Sequence, residues 1–315
     1  MRGPEEVAAL GAACRANDLT MLISPLAFSG TTGGGALNPS PDRGFRVASP
    51  APGALNPSWD RSLPILAWYL ADEPDVTGMT EEALLRLDAR VRLWGPGIPT
   101  TFVVGDGGDA PCFARAAQIL MVDWYPIPHL PTASVGDHVR WTVDAAGGRP
   151  VWAVLQAYDW RDQPQRNPNK PRIGRFPTAP EMRAMALLAI ANGATGLFFF
   201  QDRKPGGKTL RDFPDQWADL TAVVRDLSML APGLARGTPL PSRSGVLPGF
   251  TVRAWRDGVE EFVVLANGDR AGTRVVPPAL RQDLWEPLFG GPRPTEPLAA
   301  GSAVVLHRTN RYPKR

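Results

Sequence analysis

Residues 65–75 read Ile-Leu-Ala-Trp-Tyr-Leu-Ala-Asp-Glu-Pro-Asp, ILAWYLADEPD. The unbroken apolar run is the pattern of a strand covered on both faces, as strands of parallel sheets are. Adjacent carboxylates do not belong inside such a strand unless they are paired. Asp72 and Glu73 are therefore expected at its carboxyl end, and Pro74, with no N–H to donate, ends the ladder. The plainer reading is that these acids lead into a helix with Thr80 as its N-cap. Glu81 and Glu82 supply first-turn acids, but Ala83 occupies the position where a full capping box needs Glu or Gln.

The same grammar recurs along the chain. Strands are expected near 19–24, 66–71, 100–104, 119–122, 151–155 and 196–200, and helices over 4–16, 81–94, 111–117, 135–146, 179–192 and 217–230. Alternating strands and helices imply a parallel sheet covered by helices. Polar and aromatic residues follow the strands each time: Ser24, Asp72 and Glu73, Asp106, Asp123 with Trp124 and Tyr125, Gln156 with Tyr158, Asp159 and Trp160, and Gln201. A (β/α)8 TIM barrel places its site there. A doubly wound sheet does too, but no Gly-x-Gly-x-x-Gly follows a strand. The expected fold is thus α/β, a TIM barrel over residues 1–235. From Gly237 the period changes to short segments with turn residues between them, as in Asn267-Gly268-Asp269, and residues 236–315 are expected to form a small antiparallel β-sandwich.

Six expected strands fall short of eight. The barrel is therefore expected to be incomplete, lacking a first β-α-β unit, with the strands near 19–24 and 196–200 at its open edges. The Gly- and Pro-rich loop over 25–63 is too rich in breakers to hide a central strand. It holds a near-repeat, in which Gly35-Ala36-Leu37-Asn38-Pro39-Ser40 recurs as Gly53-Ala54-Leu55-Asn56-Pro57-Ser58. Two copies fit a local duplication lengthening a loop rather than a solenoid.

Composition narrows the function classes. A net charge of +3 with scattered arginines and no basic block gives nucleic-acid binding no support. No run reaches the roughly 18 apolar residues of a membrane span. Three dispersed histidines do not make a His-rich metal site, and two cysteines, Cys14 and Cys112, do not make a disulfide framework. The N-terminus carries acids and no signal-peptide core. A signal peptide on a missing upstream segment would place the protein outside the cytoplasm, and without one it would be cytoplasmic. Trp68, Trp124 and Trp160 lie near strand ends, where aromatic rings form platforms for sugars, although a tryptophan more often fills the core.

The segments ILAWYLADEPD, ILMVDWYPI, VWAVLQAYDW and EMRAMALLAIANGATGLFFF resemble clan A glycoside hydrolases, (β/α)8 barrels often followed by a β-sandwich. The likeness is to bacterial β-galactosidase-like and family 2 TIM-barrel-like proteins and covers about residues 4–235. The resemblance implies that Glu73 is the acid/base at the end of the clan's fourth strand, with Asp72 in place of its usual Asn. Asp123-Trp124-Tyr125-Pro126 matches the sixth strand. Gln156 stands where the nucleophilic Glu of the seventh strand is expected, a departure from the retaining mechanism.

Hydrolysis needs an acid at the leaving oxygen and a second carboxylate, about 5 Å away as nucleophile or about 6.5–9.5 Å away as base. Glu73, desolvated beside Trp68 and Tyr69, suits the acid. Asp123, Asp159 and Asp106 are candidates for the second group. Asp72, Trp124, Tyr125, Gln156, Tyr158, Trp160 and Gln201 are the expected substrate-binding residues, for an oligosaccharide or glycoside. No metal or cofactor is implied. Each residue also has a structural reading: Asp123 forming a turn, Gln156 satisfying backbone groups, Asp159 pairing with Arg161 or Arg172. Two other readings stand beside the hydrolase: a non-catalytic carbohydrate-binding barrel that has lost its nucleophile, and a barrel enzyme of another kind such as a lyase.

Overall fold

The computed structural model describes residues 4–25, 59–163, 173–201, 209–241, 245–247, 249–280, 285–289, 293 and 295–309. Most of the 25–63 loop with its near-repeat, Arg172 and Asp202 lie outside the described residues.

Six strands form one sheet: β1 (Met21–Ile23), β2 (Ile65–Asp72), β3 (Thr100–Val104), β4 (Ile119–Trp124), β5 (Val151–Gln156) and β6 (Gly196–Phe200). They lie in chain order, with β1 and β6 at the two ends, and the pairs β1–β2, β2–β3 and β3–β4 are parallel. An order without reversal separates the singly wound sheet of a barrel from the doubly wound kind. It is the strand order of an incomplete TIM barrel, and the expected strand count of six holds.

The helices are α1 (Pro4–Ala16), α2 (Pro74–Thr77), α3 (Glu81–Trp94), α4 (Ser134–Ala146), α5 (Ala179–Ala191) and α6 (Pro214–Arg236). The Thr80 hydroxyl accepts from the Ala83 N–H at 3.2 Å, the single-sided N-cap that the sequence predicts for α3. The helix expected over 111–117 is instead a 3-10 turn at Gly107–Cys112. Asp106 caps it by accepting from the Gly108 N–H, and i→i−3 bonds such as Asp109 N–H to Asp106 C=O use up the segment before an α-helix can start. The last helix is longer than expected and runs through Pro232 to its cap at Gly237. Gly233 holds that turn against Trp255 and Phe262, where a Cβ would meet their rings at 3.3 Å.

The chain divides into two compact units: Met1–Asp123 with Trp141–Trp152, and Trp124–Arg140 with Ala153–Arg315. In the first, Trp68 is fully buried and packs with Trp59 and Trp94, with ring centroids 5.1 and 4.9 Å away. Its indole N–H donates to the Gly95 carbonyl at 3.4 Å. Trp68 is thus core and not a sugar platform. The apolar faces of β2 and α3 meet on it because Leu84, Leu87 and Val91 recur at helical spacing on the buried side.

The second unit contains the antiparallel strands β7 (Thr238–Pro239), β8 (Gly245–Leu247), β9 (Phe250–Asp257), β10 (Glu260–Asn267), β11 (Thr273–Arg274), β12 (Glu286–Pro287), β13 (Leu298–Ala299) and β14 (Ala303–Thr309). One sheet runs β12-β14-β10-β9-β7, with β8 also on β9, and β11–β13 form a separate ribbon. β11 falls in Thr273-Arg274-Val275-Val276-Pro277-Pro278, a segment that reads as a strand, whereas β7, β8, β12 and β13 are too short for the alternation that reveals β9, β10 and β14 in the sequence. One face of the sheet buries Val252, Val263, Leu265 and Leu306 with Trp285 and Leu298. The other buries Val264, Ala266 and Val305 against Leu187, Leu188 and Leu230 of α5 and α6. That second contact explains why every residue of α5 from Ala184 to Ala191 is buried: a helix apolar all round must be covered all round. Glu261 of β10 is fully buried and paired, accepting from Arg256 Nε at 3.1 Å and from Arg308 Nε and Nη2 at 2.9 and 2.7 Å.

Candidate active site

β2 delivers Tyr69, Asp72 and Glu73 to its carboxyl end. Tyr69 pairs with Thr101 and Asp72 with Val103, so three residues of β2 span two of β3. This bulge turns two residues of odd separation to the same side. The Tyr69 hydroxyl donates to Asp72 Oδ1 at 2.5 Å. The phenol is held well above its ordinary pKa, first by burial, then by the charge and hydrogen bond of Asp72, then by the charges of Asp123 and Glu73. The three carboxylates therefore form one acidic group acting on a phenol that stays neutral.

Glu73 takes φ 41° and ψ 65°, a left-handed conformation rare for a residue with a Cβ. Its carbonyl accepts from the Val76 and Thr77 N–H groups at 3.0 and 2.8 Å, starting α2. Its carboxyl does not cap that helix. The sequence reading places Asp72 and Glu73 at the strand end but expects the helix only from Glu81; the short α2 intervenes, and the backbone of Glu73 serves it while its side chain does not.

Two supports escape a reading of the sequence alone. Asp75 accepts from the Gly105 N–H through Oδ1 at 3.1 Å and from the Asp106 N–H through Oδ2 at 3.0 Å. It ties the segment after β2 to the end of β3. Gly105 leaves room for Glu73, whose Cδ would lie 3.3 Å from a Cβ there. Only the Asp-Glu-Pro-Asp cluster hints at Asp75, and nothing in the sequence pairs it with Gly105.

Asp123, near the end of β4, is 7% exposed. Asp106 is engaged in capping the 3-10 turn. Asp159, in the second unit, is 2% exposed and accepts from Arg161 Nε and Nη2 at 2.9 and 2.6 Å. This is the ion pair foreseen as its structural role, and it is formed with Arg161.

Also in the second unit, Gln156 is fully buried. Its amide oxygen accepts from the Ile127 N–H at 2.8 Å, and its nitrogen donates to the Ile127 and Tyr158 carbonyls at 2.8 and 3.1 Å. It straps the loop after β4 to β5. Tyr125 stacks on Phe200 with centroids 5.5 Å apart, and Tyr158 meets Tyr125, Trp160 and Phe200 edge-on at 5.2–5.4 Å. Trp160 Nε1 donates to the Tyr125 carbonyl at 3.2 Å. Trp124 stacks on His138 at 3.4 Å and donates to the Ser134 hydroxyl at 2.9 Å. Gln201 is half-buried just beyond β6. Of the expected binding residues, Tyr125, Tyr158 and Trp160 are brought into one aromatic cluster, while Trp124 packs on α4.

Among the described residues no group of three or more His, Cys, Asp or Glu is arranged to hold a metal, and no helix is long and apolar enough to cross a membrane.

No protein-family model matches the chain, and no curated protein sequence matches it. Among solved structures, it is similar to an Anoxybacillus α-amylase (11% identity, 81% of this chain and 61% of that one, TM-score 0.47). It is also similar to a GH30 endoxylanase from Clostridium papyrosolvens (11% identity, 78% and 66%, TM-score 0.40). A third is a Rhizomucor miehei β-1,3-glucanosyltransferase in complex with laminaritriose (14% identity, 46% and 57%, TM-score 0.34). The chain thus spans about three-fifths of the length of the first of these proteins, and similarities at this level assign neither family nor activity.

Proposed function

We propose that this protein is a glycoside hydrolase-like barrel acting on an oligosaccharide or glycoside, with Glu73 as general acid/base. The observation that carries the reading is Glu73 itself. It sits at the carboxyl end of a parallel strand, in a left-handed conformation, with its carboxyl not used to cap the helix it begins. Strained backbone of this kind persists where the surroundings over-determine it, and it concentrates at functional sites. Asp123 is the second carboxylate in this proposal, because it belongs to the same acidic group whereas the oxygens of Asp159 are held by Arg161. Glu73 protonates the leaving oxygen as the glycosidic C–O bond breaks. Water then adds at the anomeric carbon and loses its proton to a carboxylate. Residues 1–235 carry the barrel and 236–315 an accessory β-domain of sandwich type. The finer likeness to bacterial β-galactosidase-like family 2 proteins rests on the strand-end motifs alone.

Glu73→Gln tests the reading. Hydrolysis across a panel of aryl and natural glycosides is expected to disappear while the far-UV circular dichroism and thermal midpoint hold. Activity equal to that of the unaltered protein overturns it.

One observation favours a second reading, a non-catalytic carbohydrate-binding barrel. Gln156 occupies the place where a nucleophile is expected and spends its amide on backbone groups. Binding without turnover, measured on one glycan panel, selects this reading over the first.

A further inference from the structure

A solvent-open cavity of about 260 Å3 lies within the second compact unit. It is bounded by the loop after β4, the approach to α5, the turn after β10 and the turn before β14. Its lining includes the apolar Pro128, Leu130 and Pro131 and the charged Arg175, Glu181, Asp269 and Arg270.

These charges are not equivalent. Both oxygens of Glu181 accept from Arg175, Oε1 at 2.6 Å and Oε2 at 2.7 Å. Asp269 is paired with Arg274 through both of its oxygens. Arg270 is exposed and makes no hydrogen bond or ion pair among the described residues. With each carboxylate neutralised, Arg270 leaves one surplus positive charge. Glu181 Oε2 also accepts from the Thr178 N–H and hydroxyl at 2.9 and 3.1 Å, which leaves Glu181 Oε1 and the Asp269 oxygens with lone pairs for hydroxyl donors.

We propose that this cavity binds a single hexuronate: a sugar ring with its hydroxyls on Asp269 and Glu181, its C–H face on Pro128, Leu130 and Pro131, and its carboxylate on Arg270. The volume falls just below the roughly 300 Å3 at which drug-sized pockets begin, which suits one ring and not an oligosaccharide. A neutral sugar can accept from the guanidinium of Arg270 but leaves its charge uncompensated. A compact dianion such as phosphate brings its second charge against the oxygens of Asp269 and Glu181 and gains nothing from the apolar lining residues. None of the lining residues belongs to the acidic group around Glu73, so the inference goes beyond the proposed hydrolysis and does not depend on it.

Isothermal titration of the full chain with glucuronate and galacturonate tests the proposal, with glucose, galactose and inorganic phosphate as comparison ligands. At least one uronate is expected to bind at millimolar concentration or better, and more weakly as salt is added. Arg270→Ala is expected to weaken that binding about tenfold or more, the scale of a charge-assisted hydrogen bond, with the thermal midpoint unchanged because Arg270 has no partner among the described residues. Glu73→Gln is expected to retain the binding in full, which separates this test from that of the hydrolase reading. The proposal is overturned by absence of uronate binding, by comparison ligands binding as tightly, or by Arg270→Ala binding uronate as well as the unaltered chain.

Discussion

Tyr69 and Asp72 share a 2.5 Å hydrogen bond although they stand three residues apart on one strand. On a regular strand their side chains would point to opposite faces. The bulge between β2 and β3 removes that obstacle, and it places the phenol among the carboxylates of Asp72, Glu73 and Asp123.

Removing the hydroxyl should therefore have two effects. Tyr69→Phe is expected to lower stability near neutral pH by about 1 kcal/mol, the net value of such a bond, read by chemical denaturation. The second effect is in alkali. The folded pKa of Tyr69 lies above its unfolded value, so its contribution is fully present below the ordinary phenol pKa of about 10 and is lost as pH rises beyond it. The Phe variant should lose that component of the alkaline decline. An identical decline in both proteins would contradict the assigned environment.

Gly105 gives Glu73 its place. In Gly105→Ala the new Cβ would lie 3.2 Å from Val76 Cγ2 and 3.3 Å from Glu73 Cδ. Val76 and the Glu73 carboxyl must give by a few tenths of an ångström, a fraction of the 1 Å misplacement that costs on the order of 100-fold in rate. Turnover of a glycoside substrate is expected to fall by up to about 10-fold, with stability reduced by about 1 kcal/mol. Rates equal to those of the parent chain would show that the approach of Glu73 to Gly105 does not matter.

Gln156 cannot be converted into a nucleophile without loss. Gln156→Glu replaces a donor facing the Ile127 and Tyr158 carbonyls with an oxygen, and it sets a carboxylate charge in a fully buried position against two carbonyl oxygens. The expected outcome is no gain in hydrolysis and a loss of about 3–5 kcal/mol, measured by denaturant unfolding. A stable variant with new activity would make Gln156 a vestige of the chemistry and not a strap.

Glu261 anchors the antiparallel sheet. Glu261→Ala leaves Arg256 and Arg308 beside an emptied, fully buried position. Because the Arg256 and Arg308 side chains keep access to water, a loss of about 1–3 kcal/mol is expected. Arg308 also stands over the Trp285 ring at 4.6 Å, so a change in tryptophan fluorescence should accompany the loss.

The local elements were legible because each rests on neighbours in the chain. Apolar runs ending in acids mark β2 and β4, the spacing of Leu84, Leu87 and Val91 marks α3, and Thr80 marks where α3 begins. From these the α/β alternation, the six strands and the position of Asp72 and Glu73 at a strand end follow. Contacts between distant segments carry no such signal. Whether Trp68 is a platform or core depended on Trp59, Trp94 and Gly95 closing around it. The roles of Asp159 and Gln156 depended on what stood within hydrogen-bonding distance once the chain had folded, and both turned out to be held in place, one by Arg161 and the other by backbone groups. A bulge, which changes the face of a residue without changing its identity, decided that Tyr69 and Asp72 meet. Sequence alone determined the order and type of the longer elements, because hydrophobic period and turn chemistry are local, but not the 3-10 turn at Gly107–Cys112, the short α2 or the two-residue strands β7, β12 and β13. Only the tertiary structure decided which polar groups are already satisfied, because a hydrogen bond between residues 31 apart, such as Asp106 N–H to Asp75, exists only when packing brings both ends together.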